Sequence, residues 1–575
     1  MASVDPLESL HLGFRRRYLD YDTLTQQLRG WAERFPELVR LRSLGQTPQG
    51  RELWQVTLGR EPERIRPAVW IDGNMHASEL CGSSVALSIA ERVLRLLLMP
   101  ESCALPRPLR ETLSDVVFHV LPRMSPDGAE AVLQTGRWVR SVPRDPRQSG
   151  GPARWVASDL DGDGRALLMR VVDPTGEWSS HPSNPSVLVP RRLEDDGPFY
   201  KLYPEGLIED FDGRSVPDAH FLSDNWPDLN RNFPWSWAPE PAQTGAGDYP
   251  GSEVESRAVI EATTALPNLF FWLNFHSFGG VFIRPLGDAP DKQLPDFDRA
   301  VFREIGEWCT ELTGYPMVSG FEEFTYEEDK ALRGDLSDYA YHQRGCIAYV
   351  CELWDLFKRL GIPRPRRFCD YYTAMGRDEL LALAEWDAAH NGARVFPGWT
   401  PFEHPQLGRV EIGGYDPRIG VWNPPEEELE GMCRVQADAA LRVAALAPRP
   451  VLELHASRLS SGLHRVRATV ENHGYLPTYV LEAGRQLGIG APLRAEIVVG
   501  SGLQLYGAPR VELGHLDGWG RGVGSRDMVF HVPRSRGSTA RASAEWTVSG
   551  SGIVEVKVHS PRLGEYTKRV ELGPE

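Results

Sequence analysis

The spacing of apolar and polar positions divides the chain into two unlike regions. In the first, apolar runs of strand length alternate with longer segments whose apolar residues recur at helical spacing. Leu24, Leu28, Trp31 and Phe35 share one helical face, which starts near the capping residues Asp22 and Thr23 and stops at Pro36. Strands are predicted over 38–44 and 52–58, around the turn-rich 45–50, and again over 68–71 and 116–121. Helices are predicted over 80–98, 253–266 and 296–312, and a further strand over 347–351. The run 269–275 is apolar at nearly every position, as in a strand buried on both faces.

The second region begins near 445. Val466, Ala468 and Val470 alternate with Arg467, Thr469 and Glu471, and Val554, Val556 and Val558 alternate with Glu555 and Lys557. Such period-two patterns between Gly/Pro turns mark the half-buried strands of a β-sandwich. Between 141 and 228 neither period holds; the stretch is rich in Pro, Gly, Asp and Ser and reads as a long irregular surface insertion. The expected architecture is an α/β domain over 1–444, with a mixed, mainly parallel central sheet flanked by helices, followed by an all-β sandwich domain over 445–575. The boundary falls near Ala447-Pro448-Arg449-Pro450, and no repeat of fixed period is present.

A length of 575 residues fits two or three domains, and 41% hydrophobic with 25% charged residues is ordinary for a soluble globular protein. The formal charge of -16 argues against nucleic acid as a partner, because no basic surplus exists to neutralise phosphates. Seven scattered cysteines with no Cys-x-x-Cys pair favour reduced thiols. Residues 1–17 hold no apolar core of signal-peptide length, and the apolar stretch 85–99 is broken by Glu91, Arg92 and Arg95. A cytoplasmic protein without a membrane partner is expected; nothing in the pattern fixes its oligomeric state.

Candidate chemistry gathers at the strand ends. His76 and Glu79 follow the 68–71 strand and precede the 80–98 helix. An imidazole and a carboxylate three residues apart can face one ion, and zinc accepts N and O ligands; the plain alternative is a solvated turn. His276 closes the buried 269–275 run, nearly two hundred positions later. It is either a third ligand delivered by the fold or a core histidine satisfied by its neighbours. Asp159, Asp161 and Asp163, with Gly164 in the sixth place, begin like a calcium loop, but Arg170 stands where such a loop needs a bidentate Glu. The choice there is between a Ca2+ site and a solvated acidic turn.

Taken in order, these pieces resemble the zinc carboxypeptidases of the carboxypeptidase A type over about 18–444. Tyr18-Leu19-Asp20-Tyr21 and the 44–51 turn fit the opening of that fold, and His76-x-x-Glu79 matches its first two zinc ligands. Pro122-Arg123, Pro126-Asp127-Gly128, Asp228-Leu229-Asn230-Arg231-Asn232, Ser252-Glu253-Val254-Glu255, His276-Ser277 and Glu352-Leu353-Trp354-Asp355 follow in the family's sequence. Larger bacterial members with an added carboxy-terminal β-domain are similar in layout. The resemblance implies a metallocarboxypeptidase that acts on peptides with a free C-terminus and holds one Zn2+ per chain on His76, Glu79 and His276. It implies that Glu352 is the general base. Asn230 and Arg231 would clamp the terminal carboxylate, for which a planar guanidinium is suited. Arg140, with Arg137 and Arg144 as near alternatives, would face the oxyanion.

The chain departs from the family in places. Ala77 and Ser78 stand where an arginine is often found, and Tyr326 lies in the region of a substrate-covering tyrosine whose following segment, 327–334, does not align. The pocket floor near Leu336-Ser337-Asp338 has no clear charge preference. Two other readings remain in view: a zinc amidase or deacylase on the same scaffold, cutting small-molecule or cell-wall amides, and a non-catalytic peptide-binding protein that works through its β-domain.

Overall fold

The computed structural model describes residues 5–573 except 145–150, 222–223, 225–226, 328–329, 366, 374 and 521–536. At its centre is an eight-stranded mixed sheet. From edge to edge it runs Val39–Gln46, Glu52–Leu58, Val117–Leu121, Ala68–Gly73, Leu269–Ser277, Ile347–Leu353, Val281–Arg284 and Met317–Ser319. The four middle strands, from Val117–Leu121 to Ile347–Leu353, are parallel to one another. Every residue of Ala68–Gly73 and of Leu269–Ser277 is buried, as their unbroken apolar runs require. Helices Tyr21–Arg34, Cys81–Leu98, Asp296–Thr313 and Glu426–Ala444 join one apolar cluster with the sheet; Val254–Thr264 and Leu336–Arg344 join another. Among the described residues no helix is long and apolar enough to cross a membrane.

The stretch 141–228 differs from its expected irregularity. It contains six short strands between Arg154 and Glu209. Four of them join Trp399–His404 and Gly408–Gly413 in a six-stranded antiparallel sheet, and the other two pair with each other. Strands of four to seven residues give too few alternations to stand out among prolines and glycines: in Asn184–Pro190 only Val187 and Val189 are buried. Residues 145–150, 222–223 and 225–226 of this stretch lie outside the described residues.

From Pro450 onward two four-stranded antiparallel sheets face each other. Leu452, Val466, Ala468 and Trp546 of one pack against Ala495, Val554, Val556 and Val558 of the other, the alternating valines of the sequence. The connection between these sheets does not stay with them. Tyr475, Leu476, Val480 and Leu481 belong to the same apolar cluster as the helices Cys81–Leu98 and Glu426–Ala444. A one-turn helix, Glu482–Gln486, unmarked in the apolar pattern, presents the Glu482 and Ala483 N–H groups to the Asp298 carboxylate at 2.7 and 3.0 Å.

Arg562, fully buried, donates to the carbonyls of Gly345 and Arg344, at the turn that feeds Ile347–Leu353. Gly345 holds φ +59, and a Cβ there would lie 2.5 Å from the Gly484 Cα, so only glycine fits. Replacing Arg562 by Ala is expected to destabilise the full chain by about 2–4 kcal/mol, because it strands buried carbonyls and opens a cavity. Denaturant titration checks this; an unchanged midpoint would mean that the contact holds nothing.

Candidate active site

Three neighbouring parallel strands deliver the site. Ala68–Gly73 ends in a tight turn in which Asn74 adopts φ +56 and its amide donates to the carbonyls of His76 and Ala77 at 2.8 and 3.1 Å. A Cβ on Gly73 would meet the Gly82 carbonyl at 2.5 Å, so the helix starts hard against the strand end and the turn between them stays short. On the next strand His276 lies in register with Glu352 on Ile347–Leu353. The fold thus sets His76 and Glu79, His276, and Glu352 side by side at the carboxyl ends of the sheet, the usual binding edge of such sheets.

The ligand atoms of His76, Glu79 and His276 lie within 4.8 Å of one another. The three residues are 4%, 2% and 1% exposed. His76 Nδ1 stands 2.8 Å from one Glu79 oxygen, His276 Nδ1 3.0 Å from the other, and the two Nδ1 atoms are 3.0 Å apart. The outer nitrogens are engaged elsewhere: His76 Nε2 with Asp228 at 3.0 Å and His276 Nε2 with the Asn274 Oδ1 at 2.5 Å. Both partners accept, so Nε2 carries the proton and the Nδ1 lone pairs face inward. Asn274 is held by Asp72, which also accepts from the indoles of Trp70 and Trp272.

Burial opposes ionisation of Glu79, but His76 and His276 outweigh it and hold the carboxyl at about 2. Burial and Arg140 pull His76 down, yet Glu79 and Asp228 leave it raised. The cluster therefore favours one positive charge at its centre. Two inward nitrogens, one carboxylate and fixed outer partners form a donor set that suits zinc.

Of the three arginine candidates, Arg140 lies at this centre. Its backbone carbonyl accepts from Ala77 at 2.7 Å, and its guanidinium reaches Asp228 at 3.2 Å and Glu79 at 3.5 Å. Arg144 pairs with Glu253 and Glu255, and Arg137 lines a different cavity. Glu352 is half-buried; burial and the charge of Glu79 push its carboxyl well above the usual range, against Arg140.

Asn230 and Arg231 share a narrow cavity of about 50 Å³ with His76, Arg140, His276 and Glu352. The Asn230 Oδ1 accepts from the Leu336 N–H at 2.9 Å, which leaves the amide nitrogen as the end available to a ligand. Arg231 donates to the Asn230 carbonyl at 2.7 Å, and no carboxylate of a described residue pairs with it. Ser337 lines the same cavity, and Tyr326, 49% exposed, stands on its wall.

Asp228, Asn274 and Asn423, which grips the turn through the Ser78 carbonyl and the Cys81 N–H, carry no assignment from the sequence. Asp228 had a signal in the Asp-Leu-Asn-Arg run and Asn274 in sharing a strand face with His276; Asn423 had none.

The acidic turn is arranged otherwise than an aspartate triplet. The Asp163 carboxylate pairs with Arg165, and Asp159 accepts from the N–H groups of Gly162 and Gly164. Glu205, rather than Asp163, comes near Asp159 and Asp161, and it already accepts from Leu160 and Leu167. The Asp159-Asp161-Asp163 set expected for Ca2+ is therefore not the one the fold gathers.

Comparison with known proteins gives this geometry a family. A profile described as zinc carboxypeptidase matches residues 24–185 and 223–367, more than half of the chain, and one described as a domain of unknown function matches 450–571. The carboxypeptidase N catalytic chain of Homo sapiens is 29% identical over 123 residues, 21% of this chain and 26% of its own length. The carboxypeptidase B of Astacus astacus is 23% identical over 280 residues, 48% of this chain and 67% of its own. The chain thus spans about a quarter of the length of the first of these relatives. Among solved structures, thrombin activatable fibrinolysis inhibitor aligns over 77% of each chain with 14% identity and a TM-score of 0.43. The profile match takes in His76, Glu79, Arg140, Arg231, His276 and Glu352, and on its extent the chain belongs to the zinc carboxypeptidase family.

Proposed function

We propose that the protein is a metallocarboxypeptidase that removes the C-terminal residue of peptides. The observation that carries this reading is one cavity in which His76 and His276 of the buried His-Glu-His cluster, the in-register Glu352 and Arg231, with which no carboxylate of a described residue pairs, converge. His76, Glu79 and His276 would hold a zinc ion, which when bound supplies a Lewis acid that polarises a carbonyl and acidifies water.

The chain's own groups do the rest. Arg231 and the amide of Asn230 bind the terminal carboxylate and so set which peptide bond reaches the centre. Glu352 takes a proton from the attacking water and passes it to the leaving amine; its raised proton affinity suits both halves of that task. Arg140, steered by Asp228, offers N–H donors to the developing oxyanion. Because Asp228 also holds His76, one carboxylate orients a ligand and an electrophile together.

The test is a peptide pool read by mass. The expected products are C-terminal ladders that vanish with a chelator and return with Zn2+; internal cuts, or ladders indifferent to metal, would end the proposal. His76→Ala and His276→Ala should each lose the single zinc found per chain, since two protein ligands are too few for such a site. Full zinc occupancy in both variants, measured by elemental analysis, would remove the ligand assignment.

A further inference from the structure

A second cavity, about 310 Å³, meets the narrow one at Arg140, Phe324, Tyr326 and Glu352. That size lies at the lower end of ligand pockets, which run from about 300 to 1,000 Å³. Arg231 and Asn230 belong only to the narrow cavity. A peptide with its carboxylate at Arg231 and its scissile carbonyl between Arg140 and Glu352 therefore runs its acyl side into the larger one.

The wall there is aromatic and fixed. Phe278 meets Trp422 and Tyr372 edge-on, with ring centroids 5.4 and 5.5 Å apart, and the Tyr372 hydroxyl donates to the Phe278 carbonyl at 2.5 Å. Glu79, Arg140 and Glu352 at the head are its only charged lining residues among those described. The indole N–H of Trp422 is buried and has no partner among the described residues. Tyr372, Met375, Leu380, Tyr415 and Trp422 come from beyond the residues that the family profile matches, and Phe278, Phe324 and Phe357 come from within them.

We infer that the larger cavity is an acyl-side subsite that selects substrates whose penultimate residue is aromatic or large and apolar. The inference rests on the carboxypeptidase reading above. A charged penultimate side chain would lose its hydration with no partner to replace it, and glycine would leave the aromatic wall unfilled.

The full-length, zinc-loaded chain is assayed on acetyl-Ala-X-Z peptides, with Z the C-terminal residue released fastest from a mixed pool and X varied among Phe, Leu, Gly and Glu. Phe and Leu are expected to exceed Gly and Glu in kcat/KM by on the order of 10- to 100-fold. Met375→Trp, which fills the cavity, should bring the Phe-to-Gly ratio towards one. Leu380→Trp does the same from another wall, and thermal midpoints identify whichever variant is folded. Cleavage of the series at equal efficiency, or a wild-type ratio in the filled variants, overturns the subsite and leaves the carboxypeptidase reading standing. No cleavage of any member overturns that reading and the subsite with it.

Discussion

Arg231→Ala is expected to lower kcat/KM on a free-acid peptide by roughly 30- to 4,000-fold, equivalent to about 2–5 kcal/mol of transition-state binding. The size follows from what is left behind. A carboxylate drawn into a 50 Å³ cavity sheds water, and the other arginines of that cavity, Arg140 and Arg284, are already paired with Asp228 and Asp291. The Asn230 amide remains, but a neutral donor recovers only part of a charge-assisted pair. Arg231→Lys should restore activity incompletely, because a point charge does not reproduce the planar fork. The informative comparison sets a free C-terminus against its amide. Wild type should strongly prefer the acid, and Arg231→Ala should erase most of that preference. Equal cleavage of both peptides by wild type would instead fit an amidase, with Arg231 playing no part in substrate choice.

Glu352→Gln is expected to keep one zinc per chain and the parent thermal midpoint while losing roughly 100- to 10,000-fold in kcat. The amide matches the carboxylate in shape but cannot accept the water's proton or return it to the amine. No described hydrogen bond ties the Glu352 side chain into the fold; it owes its place to register with His276 and to the buried strand behind it. The substitution should therefore be silent in stability. Retention of turnover with zinc in place would assign the proton transfer to another group, such as Tyr326 on the same cavity wall.

What the sequence made legible follows from how far each signal reaches along the chain. The runs ending at His76, His276 and Glu352 belong to strands buried on both faces, so their apolar character is continuous, and all three strands form where the pattern predicts. The residues that orient the ligands left only faint signals, a motif run for Asp228 and a strand face for Asn274, because each meets its ligand through a single hydrogen bond and such pairings have no periodicity. The six-stranded sheet that joins 168–204 to 399–413 hid for another reason: its strands are short, and the pairing that unites its two parts links residues about 240 positions apart. The wall of the larger cavity escaped in the same way. Met375 and Trp422 show no pattern that links them, and only the folded chain brings them to one cleft.

The packing of Tyr475, Leu476, Val480 and Leu481 into the apolar cluster of the α/β unit separates two boundaries that are usually taken as one. Along the chain the change of architecture falls near residue 450; in the packing it falls after Ala483. Until the sandwich segment has been synthesised and docked, the helices Cys81–Leu98 and Glu426–Ala444 lack part of their cover, and the Gly345 turn lacks the Arg562 side chain that holds its carbonyl. A chain cut near residue 450 is therefore expected to leave part of that core open, which dye binding to exposed apolar surface would report. The sandwich segment thus closes the core of the α/β unit, and exchanging it for an unrelated domain is expected to lower the stability of the whole chain.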